Sequence, residues 1–171
     1  QLTFGAASGG TPHMAGELFK LMAGVDMLFV PYKGEGPAIA DAMGGQISLV
    51  FSNLPVALPQ AQSGKLRGIA ITSPQRVATA PELPTVAESG LPGYEAATWF
   101  GLFAPAATAR DIIAKLNAES VSALNVPEVK DRMAAQGLFV IAKTPEQFSA
   151  FLKTEIPRWA KVVKDAGVKP Q

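Results

Sequence analysis

A turn of small and hydroxylated residues near the start of the chain has the composition of an anion-binding site. The run Ala7-Ser8-Gly9-Gly10-Thr11 follows a predicted strand, Leu2 to Ala6, and precedes a helix with Thr11 at the N-cap and Pro12 at the first helical position. Glycines let the backbone approach a ligand, and unpaired amides meet the positive end of the helix dipole there. The turn therefore predicts an anion site, although a tight strand-to-helix turn that needs glycine explains it equally well.

The same turn does not have the pattern of a nucleotide-binding loop. It matches neither G-x-G-x-x-G nor G-x-x-x-x-G-K-[ST], and no lysine follows it to neutralise a polyphosphate. Nucleotide binding is therefore disfavoured.

Two more polar turns follow predicted strands further along the chain. They are Tyr32-Lys33-Gly34 and Ser52-Asn53. Because ligands of open α/β sheets collect outside the carboxyl ends of the strands, these turns and the first one are expected to converge. Each alone is typical of ordinary capping, and Lys33 alone is typical of a solvated charge.

His13 is the single histidine, so a Ser-His-Asp triad would have to use it together with the nearby Ser8. No G-x-S-x-G motif occurs, and one histidine without clustered carboxylates offers too few ligands for a metal. A hydrogen-bonded histidine on the first turn of a helix is the favoured interpretation. No catalytic residue, cofactor or metal is predicted.

Composition excludes several other classes of protein. Hydrophobic residues make up 48% and charged residues 17% of the chain, which is typical of a globular protein, and the scattered charges sum to +1, which disfavours nucleic acid as a partner. The absence of cysteine excludes disulfides and thiolate chemistry. No apolar run is long enough for direct membrane insertion, and the sequence shows no signal peptide that would indicate a compartment.

The first half of the chain alternates strands and helices, which predicts a parallel sheet flanked by helices. Further strands are expected at Met27–Tyr32, Ile47–Phe51 and Leu66–Thr72, and helices at His13–Ala23, Ala38–Met43 and Leu54–Gln62.

The second half begins with an irregular stretch rich in proline and glycine, residues 73–94, with a short helical segment at Thr85–Ser89. A buried strand containing Trp99 and Phe100 is expected next, at Thr98–Ala104, and is interpreted as a domain crossing. The remaining predictions are helices at Ala109–Leu124, at Pro127–Gln136 and from Thr144 onward, and a strand at Phe139–Ala142. Thr144 and Gln147 form a capping-box pattern.

Taken together in order, these segments resemble the Bug or TctC family, the extracytoplasmic solute receptors of tripartite tricarboxylate transporters. The matching stretches are Leu2–Ala6, Gly10–Phe19, Val30–Gly34, Pro37-Ala38, Gly44–Gln46, Ser52–Pro55, Gly64–Arg67, Leu83–Glu88 and Trp99–Gly101. Two departures concern the ligand: the Ser8-Gly9-Gly10 turn is about one residue shorter than common versions, and many members have an acidic residue in place of Ser52.

The resemblance implies an α/β fold of the periplasmic-binding-protein type, the type II or Venus-flytrap architecture. Residues 1–97 would form a complete second lobe with a mostly parallel sheet, and residues 98–171 would contribute the interdomain strand and C-terminal segments of the first lobe. A small carboxylate would bind between the lobes. Ser8, Gly9, Gly10 and Thr11 would donate to one carboxylate, and Tyr32, Ser52 and Asn53 would shape the rest of the cleft.

The resemblance also implies partners and a compartment: a small carboxylate ligand, the membrane permease subunits of the transporter, and the periplasm. Family members extend further at the N-terminus, where the other ligand turn lies. If no residue precedes Gln1, residues 98–171 are expected to pack differently on the second lobe or to pair between chains. Two alternatives to transport remain: a small α/β hydrolase-like enzyme acting on an acidic metabolite through Ser8 and His13, and a ligand-sensing receptor for a signalling partner.

Overall fold

The computed structural model describes residues 1–168, which form two compact units; residues 169–171 of the predicted first-lobe segment lie outside this range. The first unit comprises Gln1–Thr98 and the segment from Lys161 onward, and the second comprises Trp99–Ala160. The strands are β1 (Thr3–Ala7), β2 (Leu28–Tyr32) and β3 (Leu49–Val50). The helices are α1 (Thr11–Ala23), α2 (Glu35–Met43), α3 (Leu54–Gln62), α4 (Arg110–Leu124), α5 (Pro127–Ala135) and α6 (Pro145–Asp165).

The first unit is built on a parallel sheet with the strand order β2-β1-β3. The central strand, β1, pairs Phe4 with Phe29 on one side and with Leu49 on the other. Because all three strands are parallel, their carboxyl ends lie at one edge, and each of the three predicted polar turns begins there. The predicted succession of strand-turn-helix units is confirmed for these strands.

Helix α1 begins and ends at glycines. Gly24 adopts the left-handed conformation (φ 63°) and its amide donates to the Lys20 carbonyl, so the predicted end of this helix at Ala23 is confirmed. The predicted N-cap is wrong by one residue. Gly10 is the N-cap in extended conformation, Thr11 is the first helical residue, and no side chain caps the helix. The Thr11 hydroxyl is therefore not used for capping.

The core of the first unit is centred on Phe4, which is fully buried. Its ring lies 5.1 Å from that of Phe29 and 5.6 Å from that of Phe51, measured between centroids. The backbone of α1 comes so close to this ring that a Cβ at Gly16 would lie 2.2 Å from a Phe4 ring carbon. The buried Tyr94 hydroxyl donates to the Ala15 carbonyl at 2.8 Å, which holds the proline-rich segment against α1.

The fourth predicted strand, Leu66–Thr72, is not present. Ile71 forms only an isolated parallel bridge with Thr85, supported by bonds from the Ile71 amide to Pro84 and from the Val86 amide to Ile71. The predicted helical segment Thr85–Ser89 is wrong, because residues 86–90 form a turn. The Thr85 hydroxyl accepts from the Glu88 amide at 3.0 Å, and a Glu88 carboxylate oxygen accepts from the Thr85 amide at 2.7 Å. The capping pair uses the Glu88 amide, which a parallel ladder continuing beyond this bridge would need.

The second unit contains α4, α5 and most of α6. The Thr144 capping box is confirmed, since the Gln147 amide donates to the Thr144 hydroxyl at 3.3 Å and the Gln147 side chain accepts from the Thr144 amide at 3.0 Å. Trp99 packs edge-on against Phe148 and Phe151, with centroids 5.7 and 5.4 Å away.

Two predicted strands of the second half are wrong. Residues 98–104 and 139–142 have no strand structure. Phe100, expected in the core, is 82% exposed, and Phe139 is 62% exposed. A strand requires a neighbouring strand for its backbone hydrogen bonds, and in the described residues neither segment has one.

Candidate functional site

The carboxyl edge of the sheet carries an open depression of about 380 Å³. Its walls are the ends of β1 and β2 and the residues that follow them: Ala7, Ser8, Pro31, Tyr32 and Lys33. It thus brings together Ser8 and Tyr32 of the predicted site residues. Its walls combine a hydroxyl group and one lysine with the apolar faces of alanine and proline.

The turn after β1 is shaped by its own amides. The Ser8 amide donates to the Tyr32 carbonyl at 3.1 Å, the Gly10 amide to the Ala7 carbonyl at 3.4 Å, and the Gly9 amide to His13 Nδ1 at 3.3 Å. Gly9 has φ 73°, a left-handed conformation that favours glycine. Three of the amides expected to face a ligand are therefore bonded within the protein.

The donors that remain at this turn are the Ser8 and Thr11 hydroxyls and the amides of Thr11 and His13. Pro12 has no N–H, and the Met14 amide donates to the Gly10 carbonyl at 3.2 Å. Amides at a helix N-terminus have no carbonyl within the helix to bond to, and the helix dipole places partial positive charge there. Thr11 is the first helical residue, so this end of the helix carries its amide and also its hydroxyl, which does not cap the helix.

His13 is the residue that holds the turn in shape. Its ring is buried, stacks on Phe29 at 3.8 Å between centroids, and accepts the Gly9 amide through Nδ1. Nε2 faces Glu17 Oε1 at 3.8 Å, and Glu17 Oε2 pairs with Lys20 at 3.0 Å. Burial lowers the pKa of His13 from its usual 6.5, an effect that Glu17 opposes and Lys20 reinforces. The neutral ring is therefore the form that accepts the Gly9 amide.

This arrangement predicts a pH-dependent stability. The unfolded chain binds a proton at His13 more readily than the folded chain does. His13 protonation therefore leaves the free energy of unfolding unchanged above about pH 6.5 and decreases it at lower pH, by at most about 1.4 kcal/mol per pH unit. Because His13 is the single histidine, His13→Gln should flatten the urea-denaturation profile between pH 6.5 and 5. An unchanged slope in the variant would assign the effect to another group.

Tyr32 contributes its backbone and ring to the depression, while its hydroxyl is used elsewhere. The hydroxyl donates to Asp41 of α2 at 2.7 Å, and this bond raises the pKa of Tyr32 above its usual 10.0. The ring lies against Gly5, where a Cβ would come within 2.9 Å of it. Tyr32 is thus fixed between β1 and α2.

Ser52 and Asn53 follow β3 at the same edge but do not line the depression. The Ser52 hydroxyl donates to Glu35, and Glu35 also accepts from the Asn53 amide and from the Asn53 side chain, both at 2.6 Å. The Asn53 side-chain carbonyl accepts from Thr98 at 2.7 Å. Sequence analysis did not single out Glu35, because one carboxylate in a glycine-rich turn has no pattern that separates it from a surface acid.

Among residues 1–168, no group of three or more His, Asp or Glu side chains could hold a metal ion. No helix in that part of the chain is both long and apolar enough to cross a membrane.

A parallel α/β sheet with polar turns at its carboxyl edge defines the class of open α/β ligand-binding domains. Residues 1–168 match the family described as the tripartite tricarboxylate transporter family receptor, TctC. The chain belongs to this family, which confirms the predicted family and the periplasmic-binding-protein fold class.

Particular relatives support the same assignment. Protein BugT of Bordetella pertussis is 40% identical over 163 residues, which cover 95% of this chain and 50% of BugT. Among solved structures, R. palustris Rpa4515 with adipate superimposes with a TM-score of 0.88 at 36% identity, covering all of this chain and 57% of that one. MatC from Rhodopseudomonas palustris with bound malate has a TM-score of 0.76 at 32% identity, covering 95% and 56%. The chain spans about half the length of the curated relatives it matches first.

Proposed function

We propose that this chain is part of a periplasmic solute-binding protein that captures a small carboxylate for a tripartite tricarboxylate transporter. The observation that carries the proposal is the turn after β1, where the Ser8 and Thr11 hydroxyls and the first amides of α1 remain available beside an open depression. Hydrogen bonds from such donors to a carboxylate are charge-assisted and stronger than neutral ones.

Charge at the depression favours the same ligand class. Lys33 is the charged residue among those that line it, and its side chain is exposed. A cation beside a helix N-terminus attracts an anion from both directions. The adipate and malate in the titles of the two related structures are both carboxylates, which supports transfer of the ligand class to this chain.

In this proposal Ser8, Gly9, Gly10 and Thr11 form the carboxylate turn, with Ser8 and Thr11 donating and Gly9 and Gly10 shaping the backbone. Residues 1–97 would be the second lobe, and residues 98–171 would belong to the first. The compact unit that ends at Thr98 supports a boundary there, although the segment from Lys161 returns to that unit. The permease subunits of the transporter would be the membrane partners.

The geometry of His13 supports binding rather than hydrolysis. A Ser8 nucleophile would need a base directed at its hydroxyl. The two ring nitrogens of His13 instead face the Gly9 amide and Glu17. The binding protein is therefore the better-supported function.

The experiment is a thermal-shift screen of mono-, di- and tricarboxylates, each paired with the neutral amide of the same carbon skeleton. Binding to the folded state raises the melting temperature by mass action, so an acid that binds should give a rise that its amide does not. The screen should be run on this chain and on a longer version that adds the N-terminal lobe expected from the family. A rise only in the longer version would indicate capture between two ligand turns. The absence of a rise in both versions with every acid would overturn the carboxylate assignment.

A further inference from the structure

The polar turn after β3 already holds a carboxylate that belongs to the protein. Glu35 Oε2 accepts from the Ser52 hydroxyl and from the Asn53 amide at 2.6 Å, and Oε1 accepts from the Asn53 side-chain amide at 2.6 Å. Three donors on one carboxylate are the set that a ligand carboxylate would need at this turn. While Glu35 is bound there, those donors are not offered to a ligand.

Glu35 reaches this turn across the carboxyl edge of the sheet. It is the first residue of α2, after β2, whereas Ser52 follows β3, and β1 lies between those two strands. Neighbouring strands lie about 4.8 Å apart, so the end of β2 and the turn after β3 are about 10 Å apart along this edge. The Ser8–Thr11 turn begins between them, at the end of β1. The negative charge of Glu35 therefore lies on the same edge as the proposed carboxylate turn.

The Asn53 side chain is fixed on both sides. Its amide group donates to Glu35, and its carbonyl accepts from Thr98 at 2.7 Å. Rotation of this side chain to offer its amide to a ligand would break both bonds. The polar groups of the turn after β3 are thus hydrogen-bonded to Glu35 and Thr98.

We propose that Glu35 is a specificity-determining residue, a built-in carboxylate that occupies the Ser52-Asn53 donors and repels a second ligand carboxylate from that end of the site. The ligand class that follows is a monocarboxylate whose far end is neutral or a hydrogen-bond donor. Lys33 and the Ser8–Thr11 turn attract the single carboxylate, and Glu35 disfavours a dicarboxylate. This inference rests on the proposed function, since it assumes that a carboxylate binds at the turn after β1.

The test compares hexanoate with adipate, which adds a second carboxylate to the same carbon skeleton, by isothermal titration at pH 7.5 and low ionic strength. Because like charges in one site repel each other, the wild-type chain should bind hexanoate at least about tenfold more tightly than adipate. Glu35→Gln removes the charge and should shift the ratio toward adipate by about tenfold. Asp26→Asn, an exposed acid before β2 at the opposite edge of the sheet, should leave the ratio within about twofold.

The outcomes separate the inference from the function on which it rests. Hexanoate preference that is lost in Glu35→Gln and kept in Asp26→Asn supports the inference. The inference is overturned if the wild-type chain binds adipate as tightly as hexanoate. It is also overturned if the ratio of the two affinities is unchanged in a folded Glu35→Gln variant. Both outcomes leave carboxylate capture intact. If circular dichroism shows that this variant does not fold, the wild-type ratio decides. If neither the folded wild-type chain nor the longer version that adds the N-terminal lobe binds either acid, the proposed function is overturned, and the inference with it.

Discussion

Gly16→Ala should lower the free energy of unfolding by about 1–3 kcal/mol. The added Cβ would lie 2.2, 2.7 and 2.8 Å from three ring carbons of Phe4, closer than real carbon atoms approach. The ring cannot move aside cheaply, because Phe4 is fully buried and packs against Phe29 and Phe51. Overpacking of a filled core costs about this much, and it outweighs the gain in helix propensity. Urea denaturation followed by circular dichroism measures the loss.

Gly36→Ala is the matched control for this variant. Gly36 also lies in a helix, and apart from its two chain neighbours its added Cβ meets nothing within 4 Å. Alanine is the better helix former, but the following Pro37 disfavours a helical residue that carries a Cβ, so this change should alter stability by less than about 1 kcal/mol in either direction. Equal destabilisation by both variants would show that the Phe4 contact is not the cause.

The double variant Ser8→Ala with Thr11→Val should reduce the affinity for a carboxylate ligand by about 100-fold or more. Each change removes one hydroxyl donor at the turn after β1 and leaves a side chain of similar shape. Hydrogen bonds to charged groups contribute about 1.5–3 kcal/mol each, which is roughly tenfold or more per bond. Titration with the best acid from the screen measures the change in dissociation constant.

Its control removes the same two types of hydroxyl from residues that do not belong to the turn after β1. Ser63 and Thr154 donate only to the Gln60 and Ala150 carbonyls of their own helices, and both are exposed. Ser63→Ala with Thr154→Val should therefore bind with wild-type affinity. A loss of affinity in this control, or its retention in the Ser8 and Thr11 variant, would contradict the assignment of the turn.

The parallel sheet was predictable because its signals are local. Apolar runs such as Phe4 to Ala6 and the glycines at both ends of α1 indicate a strand, a turn and a helix without knowledge of distant residues. The one-residue error at the N-cap has a simple cause. Threonine and glycine both occur at N-caps, and Gly10 takes the position without a side-chain bond.

The missing strands were not predictable from composition. Residues 98–104 and 139–142 are apolar, as buried strands are, but a strand also needs a partner, and apolar composition does not say whether one is present. Ile71 illustrates the same limit, because its pairing with Thr85 ends after one bridge. Tertiary pairing decides such segments.

The candidate site was predictable in position and less so in its bonding. The convergence of Ser8 and Tyr32 follows from parallel strands alone, and the depression contains both. The bonds of Glu35 to Ser52 and Asn53 join residues 17 and 18 positions apart, which no local pattern reveals. Likewise, the Gly9 amide donates to His13, where sequence analysis expected it to face the ligand.

The most direct test of the central claim is an amide chemical-shift titration of ¹⁵N-labelled chain with the best acid from the screen and with its neutral amide. Such a titration detects binding even in the millimolar range and identifies the residues that respond. Carboxylate capture at the turn after β1 predicts the largest shifts at Ser8 and at the first amides of α1, Thr11 and His13, with small shifts at Ser52 and Asn53 and none from the neutral amide. Shifts concentrated at other residues, or equal shifts from acid and amide, would contradict it.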